Sequence, residues 1–173
     1  MHDPTVAAPW TTPRQAAEKP ALYRDLAVEC EALLSGEADP IATTANAAAA
    51  IFHTLPELNW VGFYFLRNAD LVLGPFQGRP ACARIPLGRG VCGAAAARRQ
   101  TILVEDVAAF PGHIACDTAS RSELVVPLLQ GGRLLGVLDL DSPLVARFDA
   151  DDQAGCETLA GIVVRHLTPF VLT

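Results

Sequence analysis

Two pairs of β-rich segments, each joined by a short turn, constrain the fold of this chain most. NWVGFYFL (residues 59–66) leads through the turn at 67–70 into LVLGPFQG, and SELVVPLL leads across 130–132 into RLLGVLDLDS. Segments joined by such short turns pair antiparallel, whereas parallel strands need a long crossover. Two hairpins with few βαβ units therefore predict an α+β fold with a central antiparallel sheet covered by helices.

Helical signals flank these hairpins. Apolar positions recur at helical spacing between Gln15 and Leu34, and Asp39-Pro40 is a typical start for the alanine-rich helix that follows. Phe148-Asp149 begins a final helix that ends by Pro169. ACARIPL and TILVED are two further predicted strands, with a short helix between them. Residues 1–14 are predicted to be a flexible N-terminal arm, and residues 15–173 a single domain.

Composition excludes several function classes. The 13 basic and 19 acidic side chains give a formal charge of −6 with no basic cluster, which argues against nucleic-acid binding. Neither a signal peptide nor a membrane span is predicted, so we expect a cytoplasmic protein. In that compartment, five cysteines without a CxxC pair indicate catalytic, redox-sensing or buried thiols. No metal or organic cofactor is expected.

Cys116 is the strongest nucleophile candidate. It lies in a long irregular segment, 107–120, beside His113, which could polarise the thiol or simply be solvated. Long loops in compact domains often carry function, and a thiol there can meet both a substrate and a second thiol.

The other cysteines have competing interpretations. Cys92 begins a helix, whose unpaired N–H groups would lower the thiol pKa, but it could equally be packed among small residues. Cys82 alternates with its neighbours on a predicted strand, so it is either a core residue or a resolving thiol. Cys30 and Cys156 lie in helices and are predicted to be core residues.

The motif Gly88-x-Gly90-x-x-Gly93 matches the dinucleotide-binding fingerprint. The elements around it do not alternate as βαβ, and the helix after it is short. A tight turn with close packing is therefore the better interpretation.

Three carboxylates fall close together in the predicted sheet. Asp139 and Asp141 are two apart on one strand and point to one face, and Glu123 begins the neighbouring strand. Paired acids in an apolar setting raise one another's pKa, so one can remain protonated as a proton donor. Asp141 could instead mark the exposed end of its strand. Trp60 and Tyr64 could wall a pocket or belong to the core.

Together these residues suit reduction of a sulfoxide by thiols. A thiolate attacks the electrophilic sulfur, a second thiol traps the sulfenic acid, and a carboxylic acid protonates the departing oxygen.

NWVGFYFL, GPFQGRPACARIPLGRGVCGAA, VED, FPGHIACD, SELVVPL and GVLDLDSP resemble the free methionine-(R)-sulfoxide reductases, which are built on a GAF domain. The resemblance covers most of residues 20–165. It implies a GAF-like α+β fold, a closed pocket and a homodimer. It further implies free L-methionine (R)-sulfoxide as substrate and a thioredoxin-like reductant.

The resemblance also implies residue roles. Cys116 is the implied nucleophile, and Cys82 or Cys92 the resolving thiol. Glu123, Asp139 and Asp141 are implied to hold the substrate and assist oxygen departure, beside an aromatic wall of Trp60 and Tyr64. Two alternatives stay open: a GAF sensor that binds a small molecule without turnover, and a peroxide-responsive thiol switch.

Overall fold

The computed structural model describes residues 19–112 and 118–167, and all structural statements below refer to these residues. A six-stranded antiparallel sheet forms the centre, in the strand order β3-β2-β1-β6-β5-β4. The strands are β1 (Trp60–Arg67), β2 (Asp70–Gly78), β3 (Arg84–Pro86), β4 (Ile102–Val104), β5 (Ser122–Gln130) and β6 (Arg133–Ser142). The α-helices are α1 (Lys19–Leu34), α2 (Pro40–Thr54), α3 (Gly90–Arg98) and α4 (Ala150–His166).

This architecture confirms the predicted α+β fold. Both predicted hairpins form, as β1–β2 and β5–β6, and β1 and β6 pair at the centre of the sheet. Asp39 and Asp149 cap α2 and α4 as their positions indicated, by accepting hydrogen bonds from backbone N–H groups. The predicted strand ACARIPL is shorter than expected, since β3 contains only Arg84–Pro86.

Alternation along the strands divides the core into two layers. On β1, Val61, Phe63 and Phe65 pack with α1, α2 and α4 on one face of the sheet. Trp60 and Tyr64 point to the other face, where α3 packs. Side chains alternate between the two faces along each strand. A polar residue that lies on the same face of the sheet as Trp60 is therefore covered by α3.

The glycine motif forms a tight turn rather than a nucleotide loop. Gly88 and Gly90 have φ values of +80° and +60°, which favour glycine. A Cβ at Gly93 would collide with the carbonyl oxygen of Pro86. The turn therefore brings the start of α3 against the end of β3, in agreement with the close-packing interpretation.

Within the described ranges, no helix is long and apolar enough to cross a membrane. The predicted arm over residues 1–14 and the domain start at residue 15 lie outside these ranges, as does the end of the predicted last helix beyond Leu167.

Candidate active site

Strand register collects the predicted acidic residues on the α3 side of the sheet. Glu123 on β5 lies opposite Asp141 on β6, and Asp141 in turn lies opposite Trp60 on β1. Asp139, two residues before Asp141, lies opposite Gly62. Directly opposite residues in an antiparallel pair share a face, so all three carboxylates project towards α3.

Helix α3 adds a thiol to this cluster. Cys92 is the third residue of α3, and its Sγ donates a weak hydrogen bond to Oε1 of Glu123 at 3.9 Å. The Cys92 sulfur and one carboxylate oxygen each of Glu123 and Asp139 all lie within 4.8 Å of one another. The three residues are only 3%, 7% and 6% exposed, respectively. We call Cys92, Glu123 and Asp139 the buried triad.

Burial sets the protonation of the two triad carboxyls. It raises the pKa of Glu123 well above its usual value, and the neighbouring charges of Asp139 and Asp141 add to this. Burial raises the pKa of Asp139 to about 7, although hydrogen bonds with Cys92 and Glu123 oppose the rise. The acidic residue closest to Asp139 is therefore Glu123 on the neighbouring strand β5, rather than Asp141 on the same strand. Asp141 is half-buried.

One oxygen of this pair has no partner among residues 19–112 and 118–167. Oδ1 of Asp139 is buried and makes no hydrogen bond with any of these residues. Burying a polar atom without a partner costs free energy, so such an atom favours a bound polar group beside it. A polar group of a bound substrate would complete its bonding.

The prediction that the start of α3 lowers the pKa of Cys92 is wrong. Burial raises the pKa of this thiol well above its usual value, and the charges of Asp139 and Glu123 raise it further. Desolvation and two nearby carboxyls outweigh the helix dipole here. Cys92 is thus a protonated donor to Glu123 at neutral pH.

An aromatic stack borders the triad. The Trp60 ring stacks on Tyr64 at 5.9 Å between centroids and on Phe76 at 5.4 Å. Sequence reasoning missed Phe76, although the register of the β1–β2 hairpin places it opposite Gly62. A Cβ at Gly62 would collide with the Trp60 ring, so glycine is required for this stack. Trp60 and Tyr64 are both buried in the core layer on the α3 face, and their role as the wall of a pocket stays a prediction.

The hydrogen-bonding ends of the stack hold the segment between β2 and β3. Trp60 Nε1 donates to the carbonyl oxygen of Arg79, and Tyr64 Oη donates to that of Cys82, both at 3.1 Å. Cys82 precedes β3 in an irregular, half-buried position, which corrects its predicted place on a strand. The neighbouring Ala83 still accepts a backbone hydrogen bond from Leu73 of β2 at 3.1 Å.

The cysteines differ in redox state. Cys82 is in a disulfide, whereas Cys30, Cys92 and Cys156 are free and buried. Burial raises the pKa of both Cys30 and Cys156 to about 12, in keeping with their predicted core positions. The predicted nucleophile Cys116, with His113, lies outside the described residues.

The spacing of the buried triad would also admit a metal ion. A thiolate and carboxylates bind metals only after losing their protons, and burial raises the pKa of all three groups. The three protonated groups therefore suit proton donation better than metal binding.

Replacing Tyr64 by phenylalanine tests how the pocket holds Cys82. The aromatic stack should survive, but the carbonyl oxygen of Cys82 would lose its donor. We expect a loss of about 1 kcal/mol in the free energy of unfolding, measured by denaturant titration. We also expect faster reaction of the reduced Cys82 thiol with a thiol-specific reagent. An unchanged rate would show that this hydrogen bond does not fix the segment.

Comparisons with known proteins agree with this geometry. A family model described as GAF domain matches residues 39–167. The free methionine-R-sulfoxide reductase of Escherichia coli is 50% identical over 82% of this chain and 86% of its own length. The free methionine-R-sulfoxide reductase of Neisseria meningitidis, solved in complex with its substrate, is 46% identical (TM-score 0.84, 90% of this chain and 94% of that one). A putative GAF sensor protein from Burkholderia vietnamiensis is 55% identical, with a TM-score of 0.84 over 86% of this chain and 95% of that one. The chain therefore belongs to the GAF domain family and, within it, to the group of the free methionine-R-sulfoxide reductases.

Proposed function

We propose that the protein is an oxidoreductase that reduces free L-methionine (R)-sulfoxide to L-methionine. The observation that carries this proposal is the buried Glu123–Asp139 pair, which holds a proton near neutral pH beside an aromatic stack. A sulfoxide needs such a proton donor because its oxygen becomes more basic as the sulfur is attacked. Similarity to the reductases of Escherichia coli and Neisseria meningitidis supports the same substrate.

In the first step the Cys116 thiolate attacks the sulfoxide sulfur while the Glu123–Asp139 pair protonates the oxygen. The protonated oxygen passes to the Cys116 sulfur as its bond to the substrate sulfur breaks, and methionine is released. The substrate sulfur gains two electrons, and Cys116 loses two to become a sulfenic acid. Two observations support this role for the pair: the Cys92 thiol holds Glu123 in place, and Oδ1 of Asp139 has no partner among the described residues, so it can accept or donate a hydrogen bond to the substrate.

In the second step the Cys82 thiol condenses with the sulfenic acid, so that an S–S bond forms and water leaves. An external dithiol, such as a thioredoxin-like protein, then exchanges with this disulfide and restores both thiols. The disulfide at Cys82 supports its assignment as the resolving thiol. Cys92 is buried and protonated, so it is better suited to orienting Glu123 than to resolving the sulfenic acid.

Charge and shape select the substrate. Asp141 is half-buried at the edge of the triad, where a carboxylate can pair with the ammonium group of a free amino acid. Trp60 and Tyr64 offer apolar faces to the methyl and methylene groups. Methionine sulfoxide within a peptide lacks that ammonium, so it should be rejected. We also propose that the reaction takes place in the reducing cytoplasm and that the protein forms a homodimer.

An epimer assay tests the function. The reduced protein is mixed with free methionine (R)-sulfoxide or its (S) epimer, with thioredoxin recycling, and methionine is quantified. We expect at least about a hundredfold preference for the (R) epimer, because one hand alone can present oxygen to the carboxyls and sulfur to the thiol. Equal rates would contradict the proposal. Binding without turnover of either epimer would favour a GAF sensor.

A further inference from the structure

A second cleft lies at the opposite end of α3 from the buried triad. It is lined by four arginines, Arg67, Arg84, Arg99 and Arg133, with Asn68 and Leu134, and has a volume of about 560 Å³. Cys92 is near the start of α3 and Arg99 directly follows its end, about 10 Å further along the axis. The cleft is therefore separate from the proposed reaction site.

The charge of this cleft contrasts with that of the chain. Four of the 13 basic residues converge here although the whole protein carries −6. Arg84 has one distant acidic neighbour, with 3.9 Å between Nη1 and Asp70 Oδ2, and both side chains are largely exposed. Within the described part of the chain, Arg67 and Arg133 pair with no acidic side chain. Like charges repel, and among the described residues only the long Arg84–Asp70 contact offsets the repulsion between these four guanidinium groups.

Arg99 occupies its position at a conformational cost. It caps the C-terminus of α3 with φ +54°, a left-handed conformation in which glycine or asparagine is usual. Asn68 lines the same cleft and has φ +58°. The Arg99 guanidinium is held at the cleft by donating to the carbonyl oxygen of Gly132 at 3.0 Å. Asparagine is common in this conformation, so the strain lies at Arg99 alone, and strained backbone occurs often at ligand sites.

We propose that this four-arginine cleft binds a small molecule carrying two or more linked phosphoryl groups. Guanidinium groups recognise phosphate oxygens in paired, planar contacts, and four of them exceed what a single phosphate requires. The volume suits a small ligand. The buried Leu134 gives the cleft a fixed floor, because its strand β6 is central in the sheet.

Calorimetric titration with inorganic tripolyphosphate, at about 150 mM salt, tests this site. The wild-type protein should bind one equivalent saturably. The double variant Arg67→Gln/Arg133→Gln should bind at least tenfold more weakly. Arg24→Gln is the matched control, since Arg24 is an exposed arginine on α1, across the sheet from the cleft. Methionine formation and thermal stability should be unchanged in the double variant.

Two results would overturn the proposal. One is unsaturable binding, or binding equal in wild-type protein, the double variant and the control, which would indicate nonspecific charge attraction. The other is saturable binding of polyglutamate without binding of tripolyphosphate, which would indicate a protein-docking surface. The reductase assay is independent of both results, so failure here leaves the proposed function untouched.

Discussion

Replacing Cys116 by serine is expected to lower methionine formation by at least about a thousandfold, because a serine hydroxyl is a far poorer nucleophile than a thiolate at neutral pH. The carboxyl pair and the aromatic stack remain in this variant, so the substrate should still bind. The measurement is steady-state methionine formation from the (R) epimer, paired with equilibrium binding of the same compound. Turnover at the wild-type rate would remove Cys116 from the mechanism.

Cys82→Ser is the matched control for this variant. Without a resolving thiol, the sulfenic acid should form but not become a disulfide. We expect one equivalent of methionine per protein in a single-turnover experiment with no added thiol, and none from Cys116→Ser. Multiple turnovers by Cys82→Ser at the wild-type rate with thioredoxin would shift the resolving role to Cys92.

Asp139→Asn should lower activity and raise stability. The neutral amide cannot donate the carboxyl proton, so kcat/KM should fall by about a hundredfold or more. The folded protein holds the Asp139 proton more tightly than the unfolded chain does, because burial raises its pKa from 3.8 to about 7. Its contribution to stability is therefore complete below about pH 4 and is lost as the pH rises towards 7. At pH 8 the variant should be more stable than the wild type by up to about 4 kcal/mol, the free energy that corresponds to a pKa shift from 3.8 to about 7.

The measurement for this prediction is the free energy of unfolding of the wild type and Asp139→Asn between pH 4 and pH 8. The wild type should lose more stability than the variant over this interval. Glu105→Gln serves as an exposed control and should follow the wild type. A variant that is less stable at pH 8, with the same pH dependence as the wild type, would show that Asp139 is not a buried proton carrier.

Local pattern was enough to predict the sheet and part of the site. Alternation along LDLDS placed Asp139 and Asp141 on one face, and the turn made β5 and β6 neighbours. The aromatic pair on β1 followed from the same period of two. The position of Glu123 could not be predicted in this way, because a bulge between Leu128 and Leu129 shifts the β5–β6 register by one residue and brings Glu123 opposite Asp141.

Relations that depend on tertiary packing could not be read in this way. The chemistry of Cys92 is set by how α3 folds back over β5 and β6, which buries the thiol against Glu123 and reverses the expected pKa shift. Cys82 lies outside β3, and its carbonyl group accepts a hydrogen bond from Tyr64, 18 residues earlier. The four-arginine cleft joins two turns, a strand and a helix end that share no sequence motif.

A crystal structure of Cys116→Ser with free methionine (R)-sulfoxide is the most direct test of the account. The claim is that one chamber contains residue 116, the carboxyls of Glu123 and Asp139, and the sulfoxide. We predict the sulfoxide oxygen within hydrogen-bonding distance of Glu123 or Asp139, with the residue 116 side chain facing the sulfur from the other side. A substrate bound away from these carboxyls, with residue 116 remote from its sulfur, would contradict the account.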